Sequence, residues 1–147
     1  MKVENGNILI DDEIINLDKV AMIDVAQVGS HFDKPMFALS FVRDNGIGEI
    51  IASTDNKSKL KLFRQLNKLG NEIIDNGNDN YANFGFALIN MDYINRIEYD
   101  VEDKKIIVLS SNRRINTIKT TTSQAKRALA KMEEAYNRYN QSRIQQL

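Results

Sequence analysis

Three places in this chain have side chains of the types that acid–base or metal chemistry needs: His31, the acids Asp11-Asp12-Glu13, and the run Asp75-Asn-Gly-Asn-Asp79-Asn. A general base needs a partner and a defined pocket. His31 is the only histidine in a sequence without cysteine, and it stands in the polar stretch QVGSHFDKP, so a surface histidine in a loop is expected. The interleaved Asp and Asn of residues 75–80 resemble a calcium loop, yet the twelfth position, where a bidentate Glu would close the site, is Phe86. A solvated turn accounts for it, and equally for Asp11-Asp12-Glu13. No glycine-rich phosphate loop, GxSxG or HExxH occurs. The expectation is a protein that is not an enzyme, with no catalytic residues, no metal and no cofactor.

Phosphate recognition has better material. Arg113 and Arg114 fall at a predicted hairpin tip, Lys119 on the strand leaving it, and Lys126, Arg127 and Lys131 on the first turns of the helix that follows. Cations on a hairpin and the next helix can together follow a phosphate backbone, releasing counterions as they bind. Tyr93 and Tyr99 lie in the same part of the chain, where their rings either stack on bases or face a core; Phe84, Phe86, Phe37 and Phe41 pose the same choice. The helix cations have a plain reading too, as the solvated side of an amphipathic helix. Formal net charge is zero, but from Lys104 onward ten Lys or Arg face only Glu133 and Glu134, a net of +8 against −8 for residues 1–103. Such asymmetry points to nucleic acid or to a complementary partner, or to ends that neutralise each other within the fold or between subunits.

The elements that must carry these residues show an internal echo. INLDKVAMIDV at residues 15–25 and INMDYINRIEY at 89–99 keep Ile, Asn, Asp and Ile in register. In the first copy, Asn5-Gly6 predicts a hairpin turn, MFALSFV a buried strand, and Asp44-Asn45-Gly46 a turn into IGEIIAS. A helix is expected from near Thr54-Asp55, with Leu62, Leu66, Leu69 and Ile73 as its apolar stripe. The second copy repeats the plan with FGFALI, YINRIEY, a turn at 101–104, KIIVLS and INTIKT. A last helix is capped by Thr122 or Ser123, with Leu129, Met132, Ala135 or Tyr136, and Tyr139 inward and a polar tail that frays. The fold class is therefore α+β: two tandem repeats, 1–76 and 77–147, each an antiparallel sheet of three to four strands followed by one helix, packed as one pseudo-twofold domain. Neither half alone would bury much core.

At 147 residues, 42% hydrophobic and 27% charged, the composition is that of a folded soluble protein. Apolar runs of four to five residues are too short to span a membrane, the N-terminus lacks a signal-peptide core, and cysteine is absent. A cytoplasmic protein, or a component of a virus particle assembled in the cytoplasm, follows, and abundant Asn, Ile and Lys suggest an AT-rich bacterial or phage genome. From Asn7 to about Tyr139 the succession of strands and helices resembles the Whirly and PUR-type single-stranded nucleic-acid-binding proteins. That resemblance implies paired units about a pseudo-twofold axis, sheets that present the binding surface, and homo-oligomers. The acidic first unit and the few sheet aromatics depart from that pattern. A shorter likeness exists to pleckstrin-homology-like modules, which serve protein contacts. The expectation is single-stranded nucleic-acid binding through the basic second repeat. The alternative is an assembly or interaction module, a phage structural component or an inhibitor of a host protein, joined through acidic and basic surfaces.

Overall fold

The computed structural model describes the chain except at residues 11–12, 32–33, 44, 46, 56–58, 95, 111–112, 120–121 and 146–147. The side chains at 28, 30–31, 34–35, 52–55, 59, 110, 113–119, 122, 124 and 142–145 also fall outside what it describes. The protein is α+β. Among the described residues its strands form three antiparallel sheets, one of three strands, a central one of five and another of three. The chain divides into two compact units, Met1–Ile89 and Asn90–Leu147.

The first unit opens with β1 (Lys2–Glu4), β2 (Asn7–Ile10) and β3 (Glu13–Asn16), a meander whose first turn is Asn5-Gly6. A single 3-10 turn, Leu17–Lys19, leads into a three-stranded run of β4 (Val20–His31), β5 (Lys34–Arg43) and β6 (Gly48–Asp55). Helix α1 (Lys59–Asp75) lays the predicted stripe on the sheets: Leu62, Leu66, Leu69 and Ile73 are each no more than 2% exposed. They meet Val3, Ile8, Ile15, Val20, Ile23, Leu39, Phe41 and Leu88 in one core, while Lys61, Arg64 and Lys68 stay exposed. Removing a fully buried leucine such as Leu66 from this core costs about 2–5 kcal/mol.

The helix closes with a Schellman arrangement. Asn78 donates its amide to the Ile73 carbonyl and Gly77 donates to Ile74, with Gly77 at φ 87°, a conformation that favours glycine. The side chains of Asn76 and Asn78 donate to the carbonyls of Glu72 and Ile73. The calcium-like run therefore spends its asparagines on ending α1. After it, β7 (Tyr81–Asn83) and β8 (Ala87–Asn90) extend the central sheet, with β8 pairing to β4 at Met22, Ile23 and Asp24. The second repeat expected from the sequence starts at 77. Packing groups β7 and β8 with the first unit because β8 is hydrogen-bonded to β4.

The second unit holds β9 (Arg96–Asp100), β10 (Lys105–Ser110), β11 (Arg113–Lys119) and α2 (Thr122–Gln145). Val101 to Lys104 form the expected turn, with Asp100 Oδ1 accepting the amides of Glu102 and Asp103. Among the described residues no helix is long and apolar enough to cross a membrane.

Several element boundaries differ from expectation. Helix α1 begins at Lys59 rather than at Thr54-Asp55, because β6 keeps pairing with β5 as far as Asp55 opposite Met36. The stretch before His31 is the end of β4, not a loop; cross-strand pairing continues to Ser30 opposite Pro35 and His31 opposite Lys34. FGFALI is interrupted at Phe84–Phe86, and the strand expected from Tyr93 starts at Arg96 after a turn at 91–93. Helix α2 runs through the polar tail as far as Gln145, and its inward stripe is Ala125, Ala128, Met132 and Ala135, with Leu129 38% exposed.

The echoed phrase makes the same side-chain-closed turn twice. Asn16 Oδ1 accepts the Asp18 amide at 3.0 Å, and Asn90 Oδ1 accepts the Asp92 amide at 3.0 Å. Ile15, Leu17, Val20 and Ile23 are buried, as are their counterparts Ile89, Met91, Ile94 and Ile97. In both copies a distant tyrosine hydroxyl donates to the carbonyl at the same position. Tyr81 reaches Val20 at 3.1 Å, sharing its proton with Leu17 at 2.6 Å, and Tyr136 reaches Ile94 at 3.1 Å.

Candidate nucleic-acid interface

Helix α2 packs a narrow face of small residues toward β9, which leaves a wide outer face. Lys126, Arg127 and Lys131 all lie on that outer face and are exposed. Arg127 and Lys131 are one turn apart and therefore neighbours. Among the described residues none of the three has an ion-pair partner, whereas Arg138 further along is tied to Glu134 at 3.0 Å. Three cations within two turns raise a local positive potential that long flexible side chains can deliver to phosphate oxygens.

The end of β11 adds to this. The register places Lys119 opposite Lys105, with Asp100 on the other side of Lys105. Nothing in the sequence marks Lys105 for this place. Counting back from the pair Ser110–Arg113 would set it opposite Ile118, and only the bulge between Val108 and Leu109 shifts it onto Lys119. Arg113 and Arg114 stand at the far end of β11, opposite Ser110 and Leu109. At about 3.3 Å per residue they are roughly 20 Å along the strand from Lys119. The side chains of Arg113, Arg114 and Lys119 lie outside the described residues. Lys119 and Lys105 thus stand at one end of β11 and the arginine pair at the other, while Lys126, Arg127 and Lys131 follow in sequence on α2.

The tyrosines sit differently. Tyr99 pairs opposite Ile106 and alternates with Arg96 and Glu98, so it shares the face of β9 that holds buried Ile97. Tyr99 is half-buried there, while Arg96 and Glu98 are exposed and form an ion pair at 3.0 Å. Tyr93 is half-buried in the turn before β9, its amide bonded to the Asn90 carbonyl. Of the four phenylalanines singled out with them, Phe37 and Phe86 are half-buried. Phe41 and Phe84 are buried, and Phe84 meets Phe86 at a ring separation of 6.1 Å.

Helix α2 is held to its unit by two tyrosine hydroxyls, Tyr136 to the Ile94 carbonyl and Tyr139 to Asp92 Oδ1. Burial pushes the Tyr136 phenol up, and the neighbouring Tyr139 adds to the rise. In the first unit Arg43 grips Glu49 through two bonds, at 2.8 and 3.0 Å, while its guanidinium lies 5.5 Å from the Phe41 ring centre. The hydrogen bond from Arg43 is the main influence holding the Glu49 carboxyl below its ordinary value; the Arg43 charge helps, and desolvation opposes both.

Among the described residues no three His, Asp or Glu side chains gather as metal ligands would. Glu13 is exposed on β3, Asp11 and Asp12 lie outside the described residues, and so does the side chain of His31. The molecule is thus an α+β protein whose second unit carries a cationic helix face. No family model, no curated protein and no solved structure matches the chain.

Proposed function

We propose that the protein is a non-enzymatic nucleic-acid-binding protein that contacts phosphates through its basic second half, with a preference for single strands, in the cytoplasm of a bacterial or phage-infected cell. The observation that carries this reading is the exposed group Lys126, Arg127 and Lys131 on successive turns of α2, close in sequence to Lys119. With Phe41 and Phe84 buried and Tyr93 and Tyr99 half-buried, the reading makes phosphate contact the main source of affinity and base stacking a minor one, so binding should be tolerant of sequence.

The test is a titration of labelled single-stranded oligonucleotides across a range of salt. Affinity should fall steeply with salt, and reversing Lys126, Arg127 and Lys131 together to Glu should flatten the slope by about 0.7 for each phosphate no longer neutralised. Reversing Lys61 and Lys68 on α1 is the control, because those exposed cations belong to the acidic part of the chain. No binding at low salt would end the reading. A competing duplex that displaces the single strand equally would remove its strand preference.

A second reading rests on the exposed acids of the first unit, Glu4, Glu13, Asp18, Asp75 and Asp79. Paired with the cations of α2, they would join copies head to tail as an assembly module. Such assemblies dissolve as salt rises.

A further inference from the structure

Among the described residues every sheet edge is guarded but one stretch. Unpaired strand edges invite pairing with another chain, and proteins block them with charge, proline or brevity. The outer strands β1 and β7 are three residues each and β3 is four. The longer outer strands carry charge: Glu49 and Asp55 in β6, Arg96, Glu98 and Asp100 in β9, Arg113, Arg114 and Lys119 in β11. Strand β4 is an inner strand only in part. Its pairing with β8 covers Met22, Ile23 and Asp24, and beyond Asp24 no strand lies on that side among the described residues. The uncovered stretch reads Val25-Ala-Gln-Val-Gly-Ser30, with no charge and no proline.

Alternation decides which groups face outward. Arg43 donates its amide to Ile47 across β5–β6, so Phe41, Leu39 and Phe37 also bond toward β6, and Val42, Ser40 and Ala38 bond toward β4. Their partners on β4 are Met22, Asp24 and Ala26. Val25 and Gln27 therefore turn their amides and carbonyls away from β5, past the end of β8. Gln27 is exposed, and a methyl group built at Gly29 would meet nothing within 4 Å. The bulge at Val28, where β4 has one residue more than β5, ends the regular edge.

We infer that this edge, Val25–Gln27, pairs with the same edge of a second copy of the chain, antiparallel about a twofold axis at Ala26. In that register Val25 lies opposite the partner's Gln27, and Gln27 opposite the partner's Val25. All the outward amides and carbonyls of both copies are then satisfied. The occupant is a second copy because the missing guard is the one that prevents self-pairing. Charge on an edge repels its own image; β7 is uncharged but only three residues long, whereas Val25–Ser30 is uncharged within a strand of twelve. The inference is independent of nucleic-acid binding, and it differs from head-to-tail joining in being symmetric and carrying no ion pairs.

Sedimentation equilibrium of the full chain tests it. The mass should rise from 16.8 kDa toward twice that value with concentration, and should do so equally at low and high salt. Gln27→Pro removes an outward amide without touching the bonds to β5 and should leave a monomer whose circular dichroism is unchanged. Should that variant unfold, Gln27→Lys places like charges near the axis and should raise the dimer dissociation constant at least tenfold. A wild-type monomer at all concentrations overturns the inference, as does association that salt abolishes or that survives both substitutions.

Discussion

Adding a single carbon at Gly70 would bring it 2.6 Å from Leu88 Cδ2 and 3.2 Å from Asn83 Nδ2. On a free helix Gly→Ala stabilises by about 1 kcal/mol. Here Leu88 is only 1% exposed and has little room to move, so Gly70→Ala should destabilise by about 1–3 kcal/mol in urea unfolding. A stabilised variant would show that the helix can slide. Tyr81→Phe removes one donor from the Leu17 and Val20 carbonyls, the former keeping the Val20 amide, and should cost about 1–2 kcal/mol, with Tyr136→Phe costing less because that hydroxyl is only half-buried. For Glu49 the folded carboxyl lies below its ordinary value of 4.5, so its ion pair stabilises the protein above that value. The contribution is lost as pH falls through the lower, folded value. The stability gap between the wild type and Glu49→Gln should therefore be widest at neutral pH and close in acid; a constant gap would refute it. Residues at this scale are legible where the chain is regular and illegible where it slips. Lys105 joins Lys119 only through a bulge that no residue type announces.

On the scale of elements, α1 is readable because four large aliphatics repeat on a helical period with lysines between them. The inward face of α2 is not, because Ala125, Ala128 and Ala135 give a weak apolar signal and Leu129 a strong one that turns outward. Small residues let α2 pack toward β9, and its long side chains are left for the outer face. Lys131→Glu should therefore weaken oligonucleotide binding with a change in stability of less than about 0.5 kcal/mol. Tyr99→Ser should do the opposite, lowering stability by about 1–3 kcal/mol while leaving the salt slope of binding in place. A Tyr99 variant that folds normally and binds poorly would make that ring a stacking platform after all. The start of α1 and the length of β4 are hidden for another reason. Strand residues past the turn signals are held by cross-strand pairs, such as Met36 with Asp55, that no local pattern encodes.

For the whole molecule, the zero net charge conceals two opposed halves, and the α+β class and the repeated phrase can both be read from residue order alone. The phrase is legible because its buried positions need the same kinds of residue in both copies. Its fastening is not, since the tyrosines come from different elements, β7 for one copy and α2 for the other. This has a consequence in time. Each turn is local and forms from neighbouring residues, but Tyr81 is 61 residues from Val20 and Tyr136 is 42 from Ile94. Closing loops of that size is entropically slow beside turn formation. The two knots should then tighten after the rate-limiting step. Loss of either hydroxyl should accelerate unfolding several-fold in stopped-flow measurements and leave the refolding rate almost untouched. A slowed refolding limb would place the fastening early instead. The turns are poured first, and the tyrosines set how long they last.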